Sequence, residues 1–196
     1  MKKIISFLLI AILTMLTVAC SGPKPENTVK SFLDSYKSGN FTEAMNYIID
    51  SENFSMEKIK KDFEEKEDEK LTKAFIKTFS KLKYNIINTK IENDTAVVET
   101  EITVPNLGKV TRELIQEAFT LALSNAFSEN NNQDKMDSMI ETMFLDKINS
   151  EDIPMVKKNV NIHLVKQDNS WIIKADEDLV NAITGNLIEM AKAFGN

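Results

Sequence analysis

Few residues in this 196-residue chain can do covalent or metal chemistry, and their numbers set limits. Cys20 is the single cysteine and His163 the single histidine. One thiol allows no intrachain disulfide and no zinc–thiolate cluster, and one imidazole leaves a histidine metal site or a hydrolase triad without a second ring. His163 alternates with Ile162 and Leu164 and so points away from their face. That direction is solvent if their face is core, or a pocket if helices cover both sides of the sheet. Met136, Met139 and Met143 recur at helical spacing, and thioethers are soft copper ligands. Ile140 and Phe144 share the same stripe, however, and methionine fills irregular cores, so packing or a greasy contact surface is the better reading. Asp134, Asp137, Glu141 and Asp146 lack the glycine-centred loop of a calcium hand and read as solvated helix surface. Trp171 is either core or the wall of a cavity. Tyr36 and Tyr47 carry polar tips on apolar faces, which makes them candidate ligand-binding residues or rim residues. These residues form no catalytic constellation. No catalytic residue, metal or cofactor is assigned, and a non-enzymatic chain is expected.

The position of Cys20 is more telling than its chemistry. Met1-Lys2-Lys3 is followed by sixteen uncharged residues, Ile4 to Ala19, too short to cross a bilayer that needs ~20 apolar residues. A basic start, a short apolar run and a small residue at the exit describe a secretory leader. Leu16-Thr17-Val18-Ala19-Cys20 closes that run and resembles a bacterial lipobox, with Thr17 where the family most often has leucine. The resemblance implies a diacylglyceryl thioether on Cys20, cleavage before it, and partnership with the lipid bilayer. The alternative is an uncleaved anchor or a plain leader with a stray cysteine. Two acyl chains give stable anchoring where one is marginal. Residues 1–19 are then the leader and 20–25 the lipidated cysteine and its tether. Ser21-Gly22-Pro23-Lys24-Pro25 reads as an extended segment that does not pack. Ser21 is not the aspartate of the Gram-negative inner-membrane retention signal. Arg112 is the single arginine among 24 basic residues, a lysine bias that fits an AT-rich genome. The expected address is the extracytoplasmic face of a cell membrane, as on the outer leaflet of a Gram-positive cell.

Losing Lys2 and Lys3 with the leader moves the net side-chain charge from −6 to −8. A negative domain is repelled by anionic lipid, so the acyl chains must do the holding, and nucleic acid is excluded as a partner for want of basic clusters. The remainder is one domain, 26–196. Val29, Phe32, Leu33 and Tyr36 predict a helix ending at Gly39, and Ala44, Tyr47 and Ile48 predict a second one. Ser55 to Phe63 predicts a third. Leu71, Ala74, Phe75, Thr78, Phe79 and Leu82 give the cleanest helical stripe. The period then falls to two through 84–104, with Asn93-Asp94 as the turn and Pro105 as the stop. Helical spacing returns at Val110, Leu114, Ala118 and Leu121, widened by Ile115, Phe119, Ala122 and Ala126. After 129–134 a second helix runs to about Lys147. Residues 156–167 and 170–176 form another hairpin around Asp168-Asn169, and Leu179, Ile183, Leu187 and Met190 describe one closing helix. Helices grouped before an antiparallel sheet make an α+β fold.

Residues 27–48, NTVKSFLDSYKSGNFTEAMNYI, and the closing SWIIK with Trp171 resemble nuclear transport factor 2-like domains, the cone-shaped fold shared with ketosteroid isomerase. The likeness covers 26–104 and 154–176. Residues 107–150 depart from it and read as a helical insertion between the second and third strands. The resemblance implies N-terminal helices packed on a curved antiparallel sheet around a conical pocket. Catalytic members place an aspartate base and a tyrosine donor there, and neither maps onto a position in this chain. The expected function is a membrane-anchored extracytoplasmic interaction or ligand-binding module, engaging an envelope protein or a small hydrophobic ligand. The homodimer common in this fold is left open. The alternative is a small-molecule enzyme with a ketosteroid-isomerase-like pocket.

Overall fold

A computed structural model describes residues 22–49, 69–127 and 133–194. The leader, Cys20 and the helix expected from Ser55 lie outside them. Helix α1 spans Pro25–Lys37, with proline at a first-turn position where no amide hydrogen is needed, and Gly39 follows with φ +79° as the helix stop. Helix α2 is Phe41–Met45, and β1 is the pair Ile48–Ile49. Helix α3 is Glu69–Phe79. Strands β2 (Lys83–Glu92) and β3 (Thr95–Pro105) form the first hairpin, with Asn93 in the left-handed region at its turn. Helices α4 (Leu107–Ala126) and α5 (Gln133–Asn149) follow. Strands β4 (Met155–Gln167) and β5 (Ser170–Lys174) make the second hairpin, turning through left-handed Asp168 and Asn169. Helices α6 (Glu177–Ile183) and α7 (Leu187–Phe194) end the described chain.

The fold is α+β. Helices pack on one face of a curved five-stranded sheet ordered β1-β5-β4-β3-β2, and the α4–α5 pair interrupts the two long hairpins. This layout agrees with the arrangement expected from the sequence in all but three places. The second helix stops at Met45 rather than carrying Tyr47 and Ile48. Ile48 and Ile49 instead lie parallel to Ile173 and Lys174, and the Ile173 amide donates to the Tyr47 carbonyl at 2.8 Å. The sheet is therefore antiparallel with one parallel edge. The closing helix is two helices, broken at Gly185 and Asn186, both with positive φ. The tether is shorter than expected, because Pro25 is buried at the start of α1 and Pro23 is already held by the domain.

Two hydrophobic clusters organise these layers. The larger fills the hollow of the sheet. Val29, Phe32 and Leu33 of α1 and Leu179, Ala182 and Ile183 of α6 pack against Val98, Ile102, Ile162, Leu164, Trp171 and Ile173. Even-numbered residues of β3 and β4 point inward, as their period of two requires, so His163 is exposed on the wet outer face. Burying one such aliphatic or aromatic side chain contributes roughly 1.5–3 kcal/mol. The smaller cluster lies where α4 leaves the sheet, and joins Ala74 and Phe79 of α3 to Leu107, Val110, Leu145, Ile148 and Ile153. Thr78, fully buried, sutures it: its hydroxyl donates to the Ile148 carbonyl at 3.0 Å, tying α3 to α5.

Candidate functional site

The sequence singles out Trp171, Tyr36 and Tyr47 for a ligand site, and the structure distributes them rather than gathering them. Trp171 is 6% exposed, with its ring in the larger cluster. Its indole Nε1–H donates to the Pro23 carbonyl at 2.8 Å, and its own carbonyl accepts from the Thr28 hydroxyl at 3.2 Å. The indole thus faces the first residues of the domain. Tyr36 sits near the other end of α1, eleven residues from Pro25 and so about 16 Å along the helix axis. Its ring lies 4.9 Å from that of Phe79, 5.5 Å from Phe41 and 6.2 Å from Phe32. Burial pushes the Tyr36 phenol well above the ordinary tyrosine range. Tyr47 is half-buried against the larger cluster beside β1.

One aspartate and one tyrosine do meet. The Tyr84 hydroxyl on β2 donates to Asp34 Oδ1 on α1 at 2.7 Å. Burial first, and then the bond to Asp34 and its charge, raise the Tyr84 phenol above its usual value. Asp34 is exposed, and the Tyr84 proton is engaged by Asp34 Oδ1. The pair ties the edge strand β2 to α1, and it presents no free base or donor toward the hollow of the sheet. Sequence reasoning passed over it because the two residues are 50 positions apart.

The α4–α5 pair has a different character. Of α4, only Leu107, Gly108 and Val110 are buried; of α5, only Leu145 and Ile148. Sixteen residues of α4, Thr111 to Ala126, bury none of their side chains fully and extend about 24 Å at 1.5 Å per residue. Lys147 Nζ bridges the two helices to Glu117 at 2.8 Å. Ile115, Phe119 and Leu123 of α4 and Phe127 at its C-cap recur every four residues, and they are 37%, 64%, 46% and 89% exposed. Two of them, Ile115 and Phe119, were expected to widen the core-facing stripe. Met139 on α5 is exposed too, whereas Met136 and Met143 are half-buried. No charge interrupts 118–127, while Asp134, Asp137 and Glu141 are exposed along α5. Scattered exposed apolar residues are ordinary, but these four follow one another at every fourth position along the outer part of α4 and into its C-cap. The step from Ile115 to Phe119 was visible in the sequence as part of a wider apolar stripe. Its outward direction was not, because the other face of α4 is apolar as well.

Among the described residues no three histidine, cysteine, aspartate or glutamate side chains come together as metal ligands would. None of the described helices is long and apolar enough to cross a membrane. No family model and no curated protein matches the chain. One solved structure is similar, a Campylobacter jejuni protein named "Putative NTF2-like transpeptidase". The two are 16% identical with a TM-score of 0.34, over 78% of this chain and 99% of that one. A likeness this distant assigns neither fold nor activity.

Proposed function

We propose that this chain is a membrane-anchored extracytoplasmic lipoprotein, held through diacylglyceryl-Cys20, whose domain is a non-enzymatic interaction module. The observation that carries the interaction reading is the outward stripe Ile115, Phe119, Leu123 and Phe127 on a helix that buries no residue beyond Val110. The occupant best suited to it is a neighbouring envelope protein that offers an apolar groove rimmed by basic side chains. The groove would take the two phenylalanines, and the basic rim would meet Asp134, Asp137 and Glu141. Aromatic anchors of this kind dominate binding energy where they become fully desolvated. The ligand-carrier and enzyme readings draw no comparable support, since Trp171 and Tyr36 are engaged elsewhere and the one aspartate–tyrosine pair, Asp34 with Tyr84, has its carboxylate on the exposed side of α1.

The test is in-cell photocrosslinking from position 119, with position 161 on the outer sheet face as the control. The expected result is one discrete heteromeric adduct from position 119, none from position 161, and loss of the adduct in Leu123→Asp. An adduct of twice the chain's mass would make the partner a second copy. Equal labelling from both positions would sink the surface.

A further inference from the structure

The domain has two poles, and the chain enters at one of them. Strand β3 runs from Thr95, opposite Val165, to Pro105, opposite Met155, an 11-residue ladder about 33 Å long. At the first end lie both hairpin turns, joined where the Lys166 amide donates to the Asp94 carbonyl at 2.8 Å. Lys166 pairs with Trp171, whose indole holds Pro23. At the other end the Asn106 amide donates to the Pro154 carbonyl, and α4 begins. Helix α1 links the poles, from Pro25 and Thr28 beside Trp171 to Tyr36 beside Phe79 of the smaller cluster.

We infer that Trp171 is a latch that fixes how the domain stands on the bilayer: the hairpin-turn pole faces the lipid surface and the α4–α5 pole faces away. The inference rests on the Cys20 lipid anchor proposed above. From Cys20 to the latched Pro23 there are three residue steps, a reach of at most about 11 Å. A leash that short cannot let a domain some three times as long turn over. Electrostatics does not set this orientation, because the near pole mixes Lys24, Lys90 and Lys166 with Glu92, Asp94 and Asp168. The constraint is the single hydrogen bond between a backbone carbonyl and a buried indole, backed by the burial of Pro25 as the first residue of α1. Its consequence is that the apolar stripe of α4 is offered to neighbours across the envelope and not to the membrane that carries the protein.

The experiment uses the full lipidated chain in phosphatidylcholine vesicles with a headgroup-attached energy acceptor. Thioether-linked Cys20 leaves no free thiol, so Lys166→Cys and Ser124→Cys each provide one site for a donor dye. Intact mass is read first, and a mature chain without lipid on Cys20 would overturn the anchor and this inference with it. With lipid present, transfer from position 166 is expected to exceed transfer from position 124 several-fold. Equal transfer from the two positions would overturn the latch alone and leave the anchor standing. Trp171→Phe removes the donor of the latch and lengthens the leash to the buried Pro25, about 18 Å from Cys20, so the ratio is expected to narrow without reaching one. Whether or not that variant melts cooperatively, a twelve-residue Gly-Ser insertion between Gly22 and Pro23 extends the leash to about 50 Å, longer than the domain, with the core untouched. The longer leash should bring the ratio toward one, and an unchanged ratio would mean the leash does not orient the domain.

Discussion

Tyr36 is where the two hydrophobic clusters meet: its half-buried ring packs against both, and burial raises its phenol above the ordinary tyrosine range. Tyr84, tied to Asp34, is shifted in the same direction. The sign of the consequence follows from which state binds the proton more tightly. In the unfolded chain a tyrosine ionises near pH ~10, whereas the folded chain keeps both protons beyond that point. The stability these phenols contribute is therefore complete below pH ~10 and is lost as the pH climbs past it. Melting temperatures followed from pH 8 to pH 11 are expected to fall, and to fall less steeply in Tyr36→Phe. A slope identical in the two proteins would show that the Tyr36 hydroxyl is solvated. The residue scale also separates the groups that looked chemical from those that act. His163 and the acidic side chains of α5 face water, while Trp171 uses its one polar atom to grip the backbone of the entering chain.

At the scale of elements, the joint between α6 and α7 shows what a sequence can and cannot reveal. Leu179, Ile183, Leu187 and Met190 keep a helical step, and the sequence reads them as one helix. The break is imposed from outside. Gly185 lies at φ +61°, and a β-carbon there would stand 2.0 Å from the Pro105 carbonyl oxygen and 3.0 Å from Asn106 Cα. The Gly108 amide completes the contact by donating to the Gly185 carbonyl at 2.8 Å. Gly185→Ala should therefore destabilise the domain by about 2–3 kcal/mol, through both the positive φ and the collision, and push α7 off the start of α4. Chemical denaturation measures it, and a loss below 0.5 kcal/mol would show that the joint opens freely. The hairpins were legible because their information is local: alternation along 95–104 and a turn pair at Asn93-Asp94. Strand β1 was not, since two isoleucines become a strand only beside Ile173, 125 residues later. The same holds for the candidate surface. Ile115 and Phe119 were visible in an apolar stripe and Leu123 and Phe127 were not singled out, because α4 is apolar on more than one face and only the packing of Leu107 and Val110 decides which face is spent.

The whole molecule divides into a body that folds and a projection that does not help it fold. The larger cluster joins α1, α6 and the sheet without any residue of α4 or α5, and the smaller cluster uses only the base of that pair. Glu117 bridged to Lys147 brings these two residues across from each other, and counting four residues along each helix from there toward the segment that joins them matches Leu121 with Met143. Residues 122–142 can then be excised and Leu121 joined to Met143 through a short Gly-Asn turn of the length antiparallel helices ordinarily use. None of the described residues removed is buried, whereas Leu145 and Ile148 remain to close the smaller cluster. The melting temperature of this shortened protein is expected to stay within about 4 °C of the parent, equivalent to roughly 1 kcal/mol for a domain of this size. Crosslinking from position 119 should vanish with the stripe that Phe119, Leu123 and Phe127 form together. A shortened protein that unfolds would mean the projection is part of the core, and the exposed phenylalanines would then lose their claim to be an interaction surface. A stable shortened protein that still captures the same partner would move the contact to the base of the pair, near Lys109 and Arg112.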